Sequence, residues 1–198
     1  MTEYYFDIET LGTDPQEDKI ITIQYQKLED GEPVDDLVIL KEWESSEGEI
    51  VKQILDMRLL EPGWDFLPIG NRLRFDLIFI IEKATQYGFL DWKPGDIKYY
   101  FFNKPTMDIA PILVMMNDLK FLGSGVDNFT KKRKGSIVPV HYSKQEYDEI
   151  IKYIEVERDA VIGLLAEVRA VLSTFGSRKK AALEEEKLQA RSEEPQQE

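Results

Sequence analysis

Two carboxylates stand close together near the start of the chain, in the run YYFDIET. Successive side chains of a β-strand point to opposite faces, so Asp7 and Glu9 would project from one face. The apolar residues Tyr4, Phe6 and Ile8 would project from the other. Two neighbouring carboxylates repel each other unless a cation or a proton compensates them. The pair therefore indicates either a strand face that meets water or a site that binds a cation.

A third acid of interest is Asp76, in the stretch PIGNRLRFDLIFI. It lies just inside a strongly apolar segment that has the character of a buried helix, five residues after Asn71. Acidic side chains are seldom buried without a partner. Asp76 is therefore expected to be a helix cap, one half of an ion pair or a metal ligand.

More acids lie on a long helical pattern near the C-terminus, in the stretch EYDEIIKYIEVERDAVIGLL. Asp159 is followed by the small residues Ala160 and Gly163, which would clear its helical face, and Glu155 lies one turn before it on that face. Acids on an exposed helix are common, so Glu155, Glu157 and Asp159 could also all be solvated.

The composition limits the chemistry that the chain can perform. There is no cysteine and only one histidine, His141. Disulfides, thiolate zinc sites, iron–sulfur clusters and cysteine nucleophiles are excluded, and a cage of histidines is not available. Any catalysis must use carboxylates, lysines, tyrosines and hard metal ions. The net charge of −13 argues against a broad basic face that grips duplex DNA.

The length of 198 residues suggests one domain with a substantial core. We predict this domain to span residues 1–175 and residues 176–198 to form a polar tail, a frayed helix that passes into disorder. No apolar run reaches the length of a membrane span, and no signal-type segment opens the chain. These features predict a cytoplasmic protein without a membrane partner.

The order of elements gives the fold class. Three strands joined by short connections (YYFDIET, KIITIQYQ and LVILKEW) suggest an antiparallel meander. A helix in EGEIVKQILDMRLL, a short strand in DFLPIGN and a helix in RLRFDLIFIIEKATQYG follow. We expect a further strand in IKYYFF, a helix in TMDIAPILVMMNDL, and a long helix from about residue 144 to 174. This is the order of the ribonuclease-H-like α/β fold: a mixed central sheet flanked by helices, with a long C-terminal helix.

Together these stretches resemble the DEDD family of 3′–5′ exonucleases, in particular the proofreading domain of family-B DNA polymerases and its stand-alone archaeal relatives. YYFDIET is similar to the first motif, with Asp7 and Glu9 as its acid pair. GNRLRFD is similar to the second, with Asp76 as the acid and Asn71 as the preceding asparagine. RDAVIGLL resembles the end of the third, with Asp159 as the last acid.

The third motif departs from the family pattern. Members place a tyrosine four residues before the last acid or a histidine five before it, but Glu155 and Ile154 occupy those positions when Asp159 is the last acid. An alternative register takes Tyr153 with Glu157 as the last acid and preserves the tyrosine spacing. The sequence favours Asp159 because small and apolar residues then follow it as in the family. Glu155 would then activate water or add a metal ligand.

The resemblance implies a cofactor and a substrate. Asp7, Glu9, Asp76 and Asp159 would hold two Mg²⁺ or Mn²⁺ ions that clamp an in-line attack on the terminal phosphodiester of single-stranded DNA. The side chains expected to bind that strand are Asn71, Arg72, Arg74, Lys131, Lys132 and Arg133. The family connects such an enzyme with DNA repair, and a homo-oligomer is compatible with it.

Two other functions remain open at the level of sequence. One is an exoribonuclease with the same site, because no residue identifies a reader of the 2′-hydroxyl. The other is an inactive nucleic-acid-binding module that kept the fold after losing the base of the third motif. Binding of a divalent metal separates this module from the two enzymes.

Overall fold

A computed structural model describes residues 2–63 and 65–193. Its sheet contains strands of both orientations. The strands are β1 (Glu3–Thr10), β2 (Ile20–Glu29), β3 (Glu32–Pro33), β4 (Val38–Lys41), β5 (Leu67–Gly70) and β6 (Met107–Asp108). Their order is β3-β2-β1-β5-β6, and β4 also pairs with β2.

Strand β1 lies at the centre of the sheet. It pairs with β2 in antiparallel orientation and with β5 in parallel orientation, and β5 pairs with β6 in parallel orientation. In this register Asp7 lies opposite Gln24 and Glu9 lies opposite Thr22. The predicted mixed sheet, an antiparallel meander extended by parallel strands, is confirmed.

Helices cover the sheet. They are α1 (Glu47–Asp56), α2 (Leu73–Gln86), α3 (Pro94–Asn103), α4 (Ala110–Met116), α5 (Val138–Ser143) and α6 (Tyr147–Glu193). One core cluster joins Phe6 and Ile8 of β1 to apolar residues of α1, α2 and α3. A second cluster joins Ile21 to residues of α5 and α6, among them Ile150 and Ile154. The predicted arrangement of a sheet flanked by helices and a long C-terminal helix is confirmed.

The stretch IKYYFF was expected to be a strand, and this prediction is wrong, because it lies in α3. Pro94 stands in the first turn of the helix, and the carboxylate of Asp96 accepts a hydrogen bond of 2.7 Å from the backbone N–H of Lys93. Proline and a capping acid are both helix-start signals. Tyr100 is buried and contacts the core, whereas Phe102 is 92% exposed. The aromatic run is thus amphipathic at the period of a helix.

Helix α6 begins close to its predicted start and continues past the predicted end at residue 174, as far as Glu193. Contacts divide the chain into two units, one from Met1 to Ile162 and one from Gly163 to Glu198, and the division falls within α6. The boundary at residue 175 stays a prediction. The part of the tail from 194 to 198 lies outside the described residues.

One helical stretch among the described residues, from Tyr147 to Lys187, has the length and composition of a membrane span, with a mean hydropathy of 1.4 over its most apolar window. Length and composition alone are weak evidence, because core helices of soluble proteins have the same properties. Ile150 and Ile154, at the start of this stretch, are fully buried in the second core cluster. The most apolar window of the stretch is only 17% buried.

Candidate active site

Residues of the neighbouring strand β2 form hydrogen bonds that hold Asp7, one of the two acids of β1. The amide nitrogen of Gln24 donates a hydrogen bond of 2.8 Å to Oδ2 of Asp7, and the hydroxyl of Thr22 donates one of 3.0 Å to Oε1 of Gln24. Gln24 and Thr22 are fully buried, and Glu9 is 8% exposed. The chain of hydrogen bonds holds the Asp7 carboxylate in one orientation, as second-layer partners of metal ligands commonly do.

Glu157 of α6 completes a group of three acids. One carboxylate oxygen each from Asp7, Glu9 and Glu157 lie within 4.8 Å of one another. Glu157 is 6% exposed. Such a group of buried oxygen ligands is typical of a site for a hard divalent cation.

The structure places Glu157, and not the preferred candidate Asp159, beside the acid pair of β1. Asp159 points away from the cluster, with its side chain 70% exposed and paired with Arg158 at 2.6 Å. Glu155, expected to activate water or add a ligand, is exposed as well. The structure thus brings together the alternative pair, Tyr153 and Glu157.

The physical reason for this register is the buried face of α6. The buried residues of this part of α6 share one helical face, because each lies three or four residues from another member of the set: Ile150, Tyr153, Ile154, Glu157 and Val161. Residues 155 and 159 lie off this face. Gly163 was one reason to favour Asp159. A Cβ at this position would meet no atom within 4 Å, so a glycine is not needed there to avoid a neighbouring group.

Asp76 approaches the cluster from the first turn of α2. It is 3% exposed, and its Oδ2 has no hydrogen-bond partner among the described residues. The backbone before it is tightly held: a Cβ on Gly70 would lie 2.5 Å from the Phe6 carbonyl oxygen, so only glycine allows β5 to approach β1 there. Arg72, with φ of 61°, donates its backbone N–H to Asp108 at 2.8 Å.

A lysine and a tyrosine, Lys132 and Tyr153, also line the site. The ammonium group of Lys132 forms an ion pair with Glu157, and the side chain of Lys132 is only 12% exposed. The same ammonium group lies 5.5 Å from the centre of the Tyr153 ring.

The electrostatics of the site favour cation binding. Burial and the charge of Glu157 raise the pKa of both Asp7 and Glu9 well above their usual values. Burial and the charges of Asp7 and Glu157 raise the pKa of Asp76 in the same direction. Burial, with the charge of Glu157, also raises the pKa of Tyr153. A group of acids that resists ionisation binds either protons or cations.

The residues present fit a divalent metal ion. The group provides buried oxygen ligands within reach of one another, a further buried carboxylate oxygen without a partner at Asp76, and raised carboxyl pKa values. The cleft above them has a volume of about 430 Å³ and is open to solvent. It is therefore accessible to a substrate that carries a phosphodiester.

The expected substrate-binding residues fall into two groups. Asn71, Arg72 and Lys132 line this cleft. Arg74 is exposed and lines a neighbouring cleft of about 780 Å³, which adjoins the first at Arg72 and Phe75. The remaining two, the exposed residues Lys131 and Arg133, do not line the carboxylate cleft.

Sequence reasoning missed one member of the site, Gln24. It named Lys132 only as a residue that binds the substrate strand, and it assigned Tyr153 only to the alternative register. A signal for Gln24 was present: Thr22, Gln24 and Gln26 alternate with apolar residues in the strand IITIQYQ. This alternation places polar side chains on the same face as the acids of the neighbouring strand.

Comparisons with known proteins identify the fold. No protein-family model and no curated protein matches the chain. Among solved structures, product-bound exonuclease I is similar with a TM-score of 0.56 and 12% identity, over 85% of this chain and 43% of that one. Exonuclease I from Methylocaldum szegediense is similar over 60% of this chain and 30% of that one, with 18% identity and a TM-score of 0.42.

The chain therefore spans less than half the length of these two exonucleases. The likeness to the Methylocaldum szegediense enzyme has too low a TM-score to support an argument. The likeness to product-bound exonuclease I shows the fold alone. The expected α/β fold with a mixed sheet flanked by helices is confirmed at this level. The narrower likeness to polymerase proofreading domains and their archaeal relatives is not supported by these neighbours. The fold of this chain is similar to that of part of exonuclease I.

Proposed function

We propose that this chain is a metal-dependent 3′–5′ exonuclease that hydrolyses the terminal phosphodiester bond of single-stranded DNA. The observation that carries the proposal is the convergence of four carboxylates from three separate elements, three of them buried. Asp7, which is partly buried, and Glu9 come from β1, Asp76 from α2 and Glu157 from α6. Burying such a group of acids is unfavourable for a protein that makes no use of them, since desolvation and mutual repulsion both oppose their ionisation.

Asp7, Glu9 and Glu157 would hold the divalent ion, and Asp76 would add a further ligand. Oxygen ligands suit Mg²⁺ or Mn²⁺. When bound, such an ion lowers the pKa of a water molecule and stabilises charge on the phosphodiester. The resemblance implies two ions per site. Whether both fit depends on Lys132, whose ammonium group already lies among the carboxylates.

Tyr153 is the residue that we propose to orient the attacking water. It stands four residues before Glu157, as the tyrosine of the family does before its last acid, and it lines the cleft. Its pKa is raised by burial and by Glu157, so its hydroxyl stays protonated and acts as a hydrogen-bond partner. The position of Tyr153 supports the enzyme over an inactive module, because the module was inferred from a missing base in the third motif.

Asn71 and Arg72 are placed to contact the strand that enters the cleft. Arg72 is exposed, and its guanidinium group lies 5.2 Å from the centre of the Phe121 ring. A cationic and an aromatic group together can bind a phosphate and stack on a base. We propose a cytoplasmic role in DNA repair.

The test uses a single-stranded DNA oligonucleotide labelled at its 5′ end, and a matching RNA, in Mn²⁺, Mg²⁺ or EDTA. We expect a ladder of shortened labelled products that needs the metal and disappears in Asp7→Asn. Glu155→Gln, a change of an exposed acid on α6, is the matched control and should keep the activity. Cleavage of RNA alone would make the enzyme an exoribonuclease. Failure to cleave either, with the fold intact, would refute the proposal.

A further inference from the structure

Lys132 differs from the other members of its basic cluster, the run KKRK at positions 131–134. Lys131, Arg133 and Lys134 are exposed, whereas the side chain of Lys132 is 12% exposed and turned into the carboxylate site. A lysine is almost never buried unless it is paired. Here the partner is Glu157, itself one of the three clustered acids.

Several contacts hold Lys132 in this position. Its backbone N–H donates a hydrogen bond of 3.2 Å to the hydroxyl of Thr130, which in turn donates one of 2.9 Å to the carbonyl oxygen of Val126. Its ammonium group lies near the face of the Tyr153 ring, a favourable cation–π distance. Lys132 is thus held in place through both its backbone and its side chain.

The charge of Lys132 acts on the whole site. It lowers the pKa of Asp7, Glu9 and Asp76, against the stronger effect of burial. Three carboxylates among the described residues, those of Asp7, Glu9 and Glu157, lie within 4.8 Å of one another, and Asp76 stands outside this group. A second divalent ion would have to lie close to the ammonium group and would be repelled by it.

We propose that the ammonium group of Lys132 is a built-in cation that takes the place of one of two divalent ions, so that the site binds a single Mg²⁺ or Mn²⁺. Lysine is suited to this role because its charge is compact and its three N–H donors can contact carboxylates and a phosphate together. The inference rests on the proposed function, since it describes how the same carboxylate site is charged.

The test counts bound Mn²⁺ per chain by isothermal titration calorimetry and by electron paramagnetic resonance of the free ion. We expect one ion for the wild-type protein, two for Lys132→Met and one for Lys132→Arg, which keeps the charge. Lys134→Met, a matched change of an exposed lysine in the same cluster, should bind one. Circular dichroism and thermal unfolding establish that each variant is folded.

The outcomes separate this inference from the proposed function. Two ions in the wild-type protein would overturn the role of Lys132 while leaving a metal-dependent nuclease in place. One ion in both the wild type and Lys132→Met would also overturn it, because Lys132 would then not be what excludes the second ion. No bound Mn²⁺ in the folded wild-type protein would refute the metal-dependent function itself.

Discussion

The assignment of the last acid can be tested by comparing two variants of α6, Glu157→Gln and Asp159→Asn. Each replaces a carboxylate by an amide of nearly the same size and leaves the helix unchanged. Glu157 is buried within 4.8 Å of the acids on β1, whereas the side chain of Asp159 is 70% exposed. The two variants therefore remove the same chemical group from opposite environments.

The expected effects differ by orders of magnitude. A metal in a hydrolase supplies several kcal/mol of transition-state stabilisation. If loss of one ligand removes about 4 kcal/mol of it, the rate falls about 10³-fold, since each 1.36 kcal/mol is a factor of about ten. The exposed ion pair of Asp159 with Arg158 contributes little, so Asp159→Asn should keep its activity within about twofold.

The assay is the initial rate of shortening of a 5′-labelled oligonucleotide at saturating Mn²⁺. Thermal unfolding is measured in parallel, because Glu157→Gln has two opposed effects on stability: it relieves repulsion with Asp7 and Glu9, and it leaves Lys132 without its charged partner. A large loss of activity in Asp159→Asn, with Glu157→Gln near wild type, would refute the structural register and restore the one that the sequence favoured.

Three further outcomes follow from the same contacts. Gln24→Leu, which removes the hydrogen bond to Asp7, should weaken Mn²⁺ binding about 10-fold to 100-fold in a calorimetric titration, and an unchanged affinity would contradict a positioning role. Tyr153→Phe should lower the exonuclease rate about 100-fold while Mn²⁺ binding persists; equal rates would exclude its hydroxyl. In EDTA the melting temperature should fall as the pH rises above about 4, the carboxyl pKa of the unfolded chain, whereas saturating Mn²⁺ should remove most of this dependence.

The sign of this pH dependence follows from the raised carboxyl pKa values. In the folded protein Asp7, Glu9 and Asp76 keep their protons to higher pH than in the unfolded chain. Above the unfolded pKa, near pH 4, the native state therefore binds more protons, so its stability falls as the pH rises through the folded pKa values. A metal-free protein that becomes more stable toward pH 8 would show that the acids are not buried together.

Much of the fold was readable from local sequence. The alternation in YYFDIET determined that Asp7 and Glu9 share a face, because the side-chain period of a strand is two whatever the strand packs against. The apolar neighbours of Asp76 likewise indicated a buried acid. The aromatic run in α3 was misread because its β-forming residues outweighed the helix-start signal of Pro94 and Asp96, and packing of one face on the core decided the conformation.

Only the tertiary structure decided which acid of α6 belongs to the site. Glu155, Glu157 and Asp159 all lie on one helix, and its rotation about its axis is set by packing of Ile150 and Ile154 against the sheet. Lys132 enters the site from a loop remote in sequence from both acid motifs, and no local pattern distinguishes it from its basic neighbours. The sequence by itself determined the type of chemistry, because residue types and the period of a strand are local properties. The tertiary structure determined which residues lie together, because a shared cleft depends on contacts between segments that are distant in sequence.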